Sequence, residues 1–199
     1  MGAPKSPIGG RPSADALNMA DPSFDPSGAV RFDLRSGSAS DSRGARLVLV
    51  PSTALDGLGD DVLEQLGSQI GKACGARVAA RLGGDSGVRS AALEVAVSHI
   101  AGELAIAGIG AVHVERWGRA LVAVVANASI SNDAFLGAVV SSALAAASGR
   151  DVSAAALGRQ GGVARFFLGS AATSERVRDL AKQGKPYAEI VATVQGAST

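Results

Sequence analysis

Apolar positions begin to recur with a regular period only after residue 45. Leu47-Val48-Leu49-Val50 is an unbroken apolar run closed by Pro51, the pattern of a short strand or extended lead-in. Over residues 56–82 the spacing becomes helical, with Leu58, Val62, Leu66, Ile70, Cys74 and Val78 on one stripe and Gly83-Gly84-Asp85 as the stop. A second helix is predicted over 89–107, with Ala92, Val95, His99 and Gly102 at helical intervals before Gly108 and Gly110. The period then drops to two. Val-rich segments at 111–115 and 121–127 flank Arg116-Trp117-Gly118-Arg119 and read as a hairpin. Asn132-Asp133 can cap a third helix over 134–148, whose stripe is Phe135, Val139, Val140, Ala143, Leu144 and Ala147, with Gly149 as its end. A second hairpin follows, 152–157 and 163–168, turning at Arg159-Gln160-Gly161-Gly162. Two short amphipathic helices, 173–183 and 186–194, close the pattern.

Two hairpins separated by a helix predict an α+β fold in the order α-α-β-β-α-β-β-α: one antiparallel four-stranded sheet with helices packed on it. The domain is expected over residues 45–170, and the amphipathic tail, 171–199, is expected to dock on it. Residues 1–44 read as a disordered leader. Five of the seven prolines lie there, among Gly and Ser, and its apolar residues are too sparse to offset the entropy of ordering it.

Charge narrows the function classes. Lys and Arg total 19 against 18 Asp and Glu, which argues against a nucleic-acid-binding arm, since phosphate binding needs surplus cations. With 47% hydrophobic residues, 4% aromatic and 26 Gly, the core must be built of small aliphatic side chains. One Cys excludes an internal disulfide and a multi-cysteine zinc site and fits a reducing compartment. No apolar run has the length of a membrane span, and no secretory signal follows Met1. A cytoplasmic protein is expected.

The motifs are sparse. Gly67-Ser68-Gln69-Ile70-Gly71-Lys72-Ala73 fails as a phosphate loop, having three residues between its glycines and Ala after its Lys. Gly67, Gly71 and Gly75 recur every four residues and make a helix ridge that another helix can approach closely. Each glycine costs on the order of 1 kcal/mol of helix propensity, so a packing gain is implied. The ridge suits packing inside the domain, against the second helix, or a second copy of the chain, and it is assigned here as a dimer interface. His99 and Glu103 share a helix face, and His113 and Glu115 share a strand face, but no metal site is expected because nothing in the spacing brings the pairs together. Cys74, on an apolar stripe, reads as a buried small hydrophobe. Phe166 and Phe167 are adjacent on a strand and must point to opposite sheet faces.

Four segments carry a resemblance. They are Gln65-Leu66-Gly67-x-x-Ile70-Gly71, then Trp117-Gly118-x-x-Leu121-Val122-x-Val124, then Phe135-Leu136-Gly137-Ala138-Val139, and finally Gly158-x-x-Gly161-Gly162-x-Ala164-Arg165-Phe166. In this order, on a helix pair, hairpin, helix and hairpin, the chain resembles the 4-vinyl reductase domain family and the related Bet3-like subunits of TRAPP tethering complexes. The resemblance implies binding of a small hydrophobic molecule or lipid, regulatory sensing, and dimerisation, without implying catalysis. It departs from the sensing branch in having no Cys at the stretches that hold that branch's metal, Asp133-Ala134-Phe135 and residues 158–164, so no cofactor is expected. The acylated Cys of the Bet3 subunits does not carry over either, because Cys74 falls inside a predicted helix. A cavity between helices and sheet would be lined by Ile70, Cys74, Val95, His99, Phe135 and Val139. The composition fits a bacterial sensory module. The alternative is an adaptor that dimerises and presents surface, with the leader as a route to a protein partner.

Overall fold

The computed structural model describes residues 24–196. Its centre is a four-stranded antiparallel sheet made of two hairpins, β4 (Ala111–Trp117) with β5 (Ala120–Ala126) and β6 (Ser153–Gln160) with β7 (Val163–Gly169). The inner strands join the hairpins, β5 to β7, with Ala123 opposite Phe166, so the spatial order is β4-β5-β7-β6. Among the described residues the chain is α+β with six helices and two antiparallel sheets.

Period-two alternation assigns the two sheet faces. Ala123, Val125, Ala164, Phe166 and Leu168 face a core shared with α1 (Asp60–Arg81), α3 (Leu93–Ile106) and α4 (Asp133–Ser148). Val122, Val124, Ala155 and Phe167 face the other side, where α5 (Ala171–Lys182) and α6 (Tyr187–Gly196) cover them with Val177, Ile190, Val191 and Val194. Phe166 and Phe167 therefore divide between the two cores, as their adjacency dictates. The sheet is covered on both faces, which is why β5 is buried almost throughout.

α4 has the local chemistry expected of it. Asn132 Oδ1 accepts from Phe135 N at 2.8 Å, and Gly149 takes a left-handed conformation (φ 63) that ends the helix. The helices before the sheet differ from expectation. A 3-10 turn, Ser52–Leu55, precedes α1. A short helix, α2 (Gly84–Ser90), lies between α1 and α3, and the chain is extended at Ala91 and Ala92 where one continuous helix from residue 89 was predicted. The buried face of α1 also sits beside the predicted stripe. Leu63, Gly67, Gly71, Cys74, Gly75 and Val78 are buried, whereas Leu58 and Val62 are exposed.

The stretch assigned to a disordered leader requires correction in its second half. Residues 1–23 lie outside the described residues. Beyond them, β1 (Val30–Asp33), β2 (Ser38–Asp41) and β3 (Arg46–Leu47) form a small antiparallel sheet, so the boundary at 45 falls inside it. Aspartate-centred turns make this possible in a polar sequence. Asp33 Oδ1 accepts from Arg35 N and Ser36 N, and Asp41 Oδ1 accepts from Arg43 N and Ala45 N. Among the described residues no helix is long and apolar enough to cross a membrane.

Candidate functional site

The glycine ridge is occupied within the chain. A Cβ on Gly67 would meet the Phe135 carbonyl oxygen at 2.5 Å, and one on Gly71 would lie 3.0 Å from Ala143 N. One on Gly75 would stand 2.8 Å from Ala146 Cβ. The dimer interface assigned to Gly67, Gly71 and Gly75 is therefore corrected: the neighbour is α4 of the same chain, neither a second copy nor the second helix. Four-residue spacing identifies a face but not what lies against it.

The residues expected to line a cavity beneath the sheet pack in or beside the core helices. Cys74, Phe135 and Val139 are buried in the core shared by α1, α3 and α4, and Ile70 packs against that core. Val95 and His99 are half-buried on α3. None of the six lines any of the clefts described below, which therefore do not bring the predicted ligand set together. Small side chains here let α1 and α4 come together closely.

Between α1 and α3 lies a buried ionic cluster. Glu103, 1% exposed, accepts from Arg77 Nε at 2.6 Å, and its other oxygen lies 3.0 Å from Arg81 Nη2. Arg77 also reaches Asp41 of β2 (3.5 Å) and donates to Cys74 Sγ (3.2 Å). Burial pulls the Arg77 guanidinium down, but the hydrogen bond to Glu103 and the surrounding negative charge outweigh it and hold its pKa above the ordinary value. The Cys74 thiol is pushed up to about 11 by burial, against the opposing influence of Arg77. It is an unreactive thiol. Phe24 completes the cluster. Its ring lies edge-on to His99 (5.9 Å), under the Arg81 guanidinium (5.0 Å), and against Gly102, where a Cβ would collide with it. The cluster thus clips residues 24–47 onto α1 and α3. His99 and Glu103 consequently serve Phe24 and the arginines, while His113 pairs with Glu115 at 3.3 Å. Among the described residues no three His, Cys, Asp or Glu side chains converge as a metal site.

Several clefts open at the surface, and three of them border the helices of the first core. One, of about 750 Å³, lies between α4, β6 and α5 and is lined by small residues such as Gly137, Ala138 and Ser141. Two of its charged residues are already engaged: Asp133 pairs with Arg159, and Arg178 donates to Ala154 O. A second, of about 640 Å³, runs between α3 and edge strand β4, beside His113 and Glu115. The third, of about 260 Å³, is bounded by α2, α3 and α4. Val88, Leu93, Val97, Ile100, Leu144 and Ala147 form its apolar walls, and Arg89 and Arg150 stand at its rim. It shares Leu93 and Val97 with the second cleft. The break at Ala91–Ala92 creates this pocket by turning α2 away from α3, and a sequence read as one helix gives no sign of it.

A pocket of this size accommodates one substituted aromatic ring or a short aliphatic chain, since an apolar cavity of about 150 Å³ already holds benzene. No protein-family model matches the chain, and no curated protein matches it. The resemblance to the 4-vinyl reductase domains therefore rests on the four sequence segments and their order. Among solved structures, the chain is similar to the phenol-responsive sensory domain of the transcription activator PoxR in complex with phenol. Identity is 12% and the TM-score 0.50, with 70% of this chain and 84% of that one covered. At that identity the likeness establishes a shared fold.

Proposed function

We propose that this chain is a non-enzymatic binding module for a small hydrophobic molecule, acting in sensing or regulation, and that the ligand enters the pocket between α2, α3 and α4. The observation that carries the reading is the pocket itself: apolar walls from three helices, one-ring volume and an open rim. The fold shared with a phenol-responsive domain and the resemblance to 4-vinyl reductase domains point the same way. Native mass spectrometry and thermal shift with phenol, cresols, benzyl alcohol and short fatty acids test it. Stabilisation that disappears in Val97→Phe, which narrows the pocket from a half-buried position, supports the reading. No shift with any of these compounds contradicts it.

A second reading, an adaptor acting as a dimer, is favoured by one observation. Val48, Leu49 and Val50 directly follow edge strand β3 and are 86%, 69% and 54% exposed. An exposed apolar edge of this kind is a template for pairing with another chain, and a second copy offers a matching run. Light scattering at micromolar concentration tests it: a dimer that Leu49→Lys converts to monomer supports it, and a monomeric wild type contradicts it.

A further inference from the structure

We propose that the pocket between α2, α3 and α4 selects an anionic head group, so that its ligand is a small aromatic or short aliphatic carboxylate. This rests on the reading of that pocket as the binding site. The walls are apolar at Val88, Leu93, Val97, Ile100, Leu144 and Ala147, and the one hydroxyl among them, that of Ser148, already donates to Leu144 O at 2.7 Å. Polarity is concentrated at the rim, and there it is cationic. Arg89 uses Nη1 to donate to Ser148 O at 3.1 Å, which fixes the guanidinium beside the opening and leaves its other donors unengaged. Arg150 lies on the same rim and is exposed. Among the described residues neither arginine forms an ion pair with a carboxylate, whereas Arg77, Arg81 and Arg159 all do. Asp85 lies near Gly149 yet makes no ion pair with Arg89.

The backbone adds to this. α3 begins at the pocket with Ala92 as its N-cap, and Ala92 has no side chain able to accept from the first-turn N–H groups. Ala91 and Leu93, either side of that cap, line the pocket, so the positive end of α3 lies beside it. Planar guanidinium forks match a carboxylate in geometry as well as charge. A ligand whose ring lies against Val97, Ile100 and Leu144 would place its carboxylate among Arg89, Arg150 and the start of α3. A neutral molecule of equal size would gain only the apolar contacts.

Calorimetric titration with benzoate and with benzyl alcohol, on the full chain, tests the assignment. Benzoate is expected to bind at least about tenfold more tightly, the increment of a charge-assisted contact, and to weaken as salt is raised. Arg150→Gln, at an exposed side chain with no ion pair to lose, should remove most of that preference by weakening benzoate far more than benzyl alcohol. Val97→Phe should abolish both. Equal affinity for the two compounds, or a benzoate affinity indifferent to Arg150→Gln, would overturn the anionic selection and leave the binding module standing. Absence of binding by either compound would overturn the module and the selection together.

Discussion

Replacing Gly71 by alanine separates two opposing effects whose sizes follow from the structure. In an isolated helix the change is favourable, on the order of 1 kcal/mol, because alanine loses less backbone freedom on folding. Against α4 it is unfavourable. The new methyl would stand 3.0 Å from Ala143 N and 3.0 Å from Ser142 Cβ, and closer still to the Val139 carbonyl oxygen. These are largely backbone atoms of a helix that is itself packed on the sheet, so no side chain can swing aside. The two helices must separate along their whole contact, and overpacking of this kind costs about 1–3 kcal/mol or more. Because the contacts are with backbone, the cost falls at the upper end of that range, about 2–3 kcal/mol, and the net expectation is a loss of about 1–2 kcal/mol, or roughly 2–8 °C in Tm at this size. Gly137→Ala is the control. It also lies within a helix, but its Cβ would meet Phe166 Cδ1 at 3.5 Å and Ala154 Cβ at 3.8 Å, ordinary contacts. That variant should gain up to about 1 kcal/mol. Urea denaturation of the pair is the assay. If Gly71→Ala is stabilised as much as Gly137→Ala, the close α1–α4 approach is refuted.

Glu103→Ala should cost about 3 kcal/mol by leaving Arg77 and Arg81 without their shared carboxylate, measured as a lowered urea midpoint. Cys74 sets an alkaline limit. Its folded pKa of about 11 lies above the ordinary 9.0 of the unfolded chain, so its stabilising contribution is complete below pH 9 and is lost as the pH rises to 11. Cys74→Ala should flatten the fall in Tm across that window, and the wild-type thiol should react with a disulfide reagent at pH 8 about a hundredfold more slowly than a free cysteine. Phe24→Ala removes the ring clasped by Gly102, His99 and Arg81, so limited trypsin should cleave at Arg43 or Arg46 several-fold faster than in the wild type.

Sequence pattern reached the sheet and the last two helices because their signals are local. Turn glycines at the hairpins, the Asn132 cap and adjacent Phe166 and Phe167 each specify geometry within a few residues. It failed where a neighbour decides the outcome. The glycine ridge announced close packing, but only tertiary structure shows α4 against it. Ala91 and Ala92 are good helix formers, so the break between α2 and α3, and with it the pocket, has no propensity signature. Five of the six expected ligand residues lie in or against the core or the Phe24 clip, because a helical stripe reads the same whether it faces a cavity or a filled interior. The β1–β2 and β2–β3 turns did carry a signal, in the spacing of Asp33 with Gly37 and Asp41 with Gly44, but it was outweighed by the low hydrophobicity of the surrounding stretch.

Backbone amide spectra recorded during a benzyl alcohol titration test the central claim most directly. The account predicts saturable shifts concentrated at Val88, Leu93, Val97, Ile100, Leu144 and Ala147, around the pocket between α2, α3 and α4. Saturable shifts confined to α4, β6 and α5, or an unchanged spectrum at millimolar ligand, would contradict it.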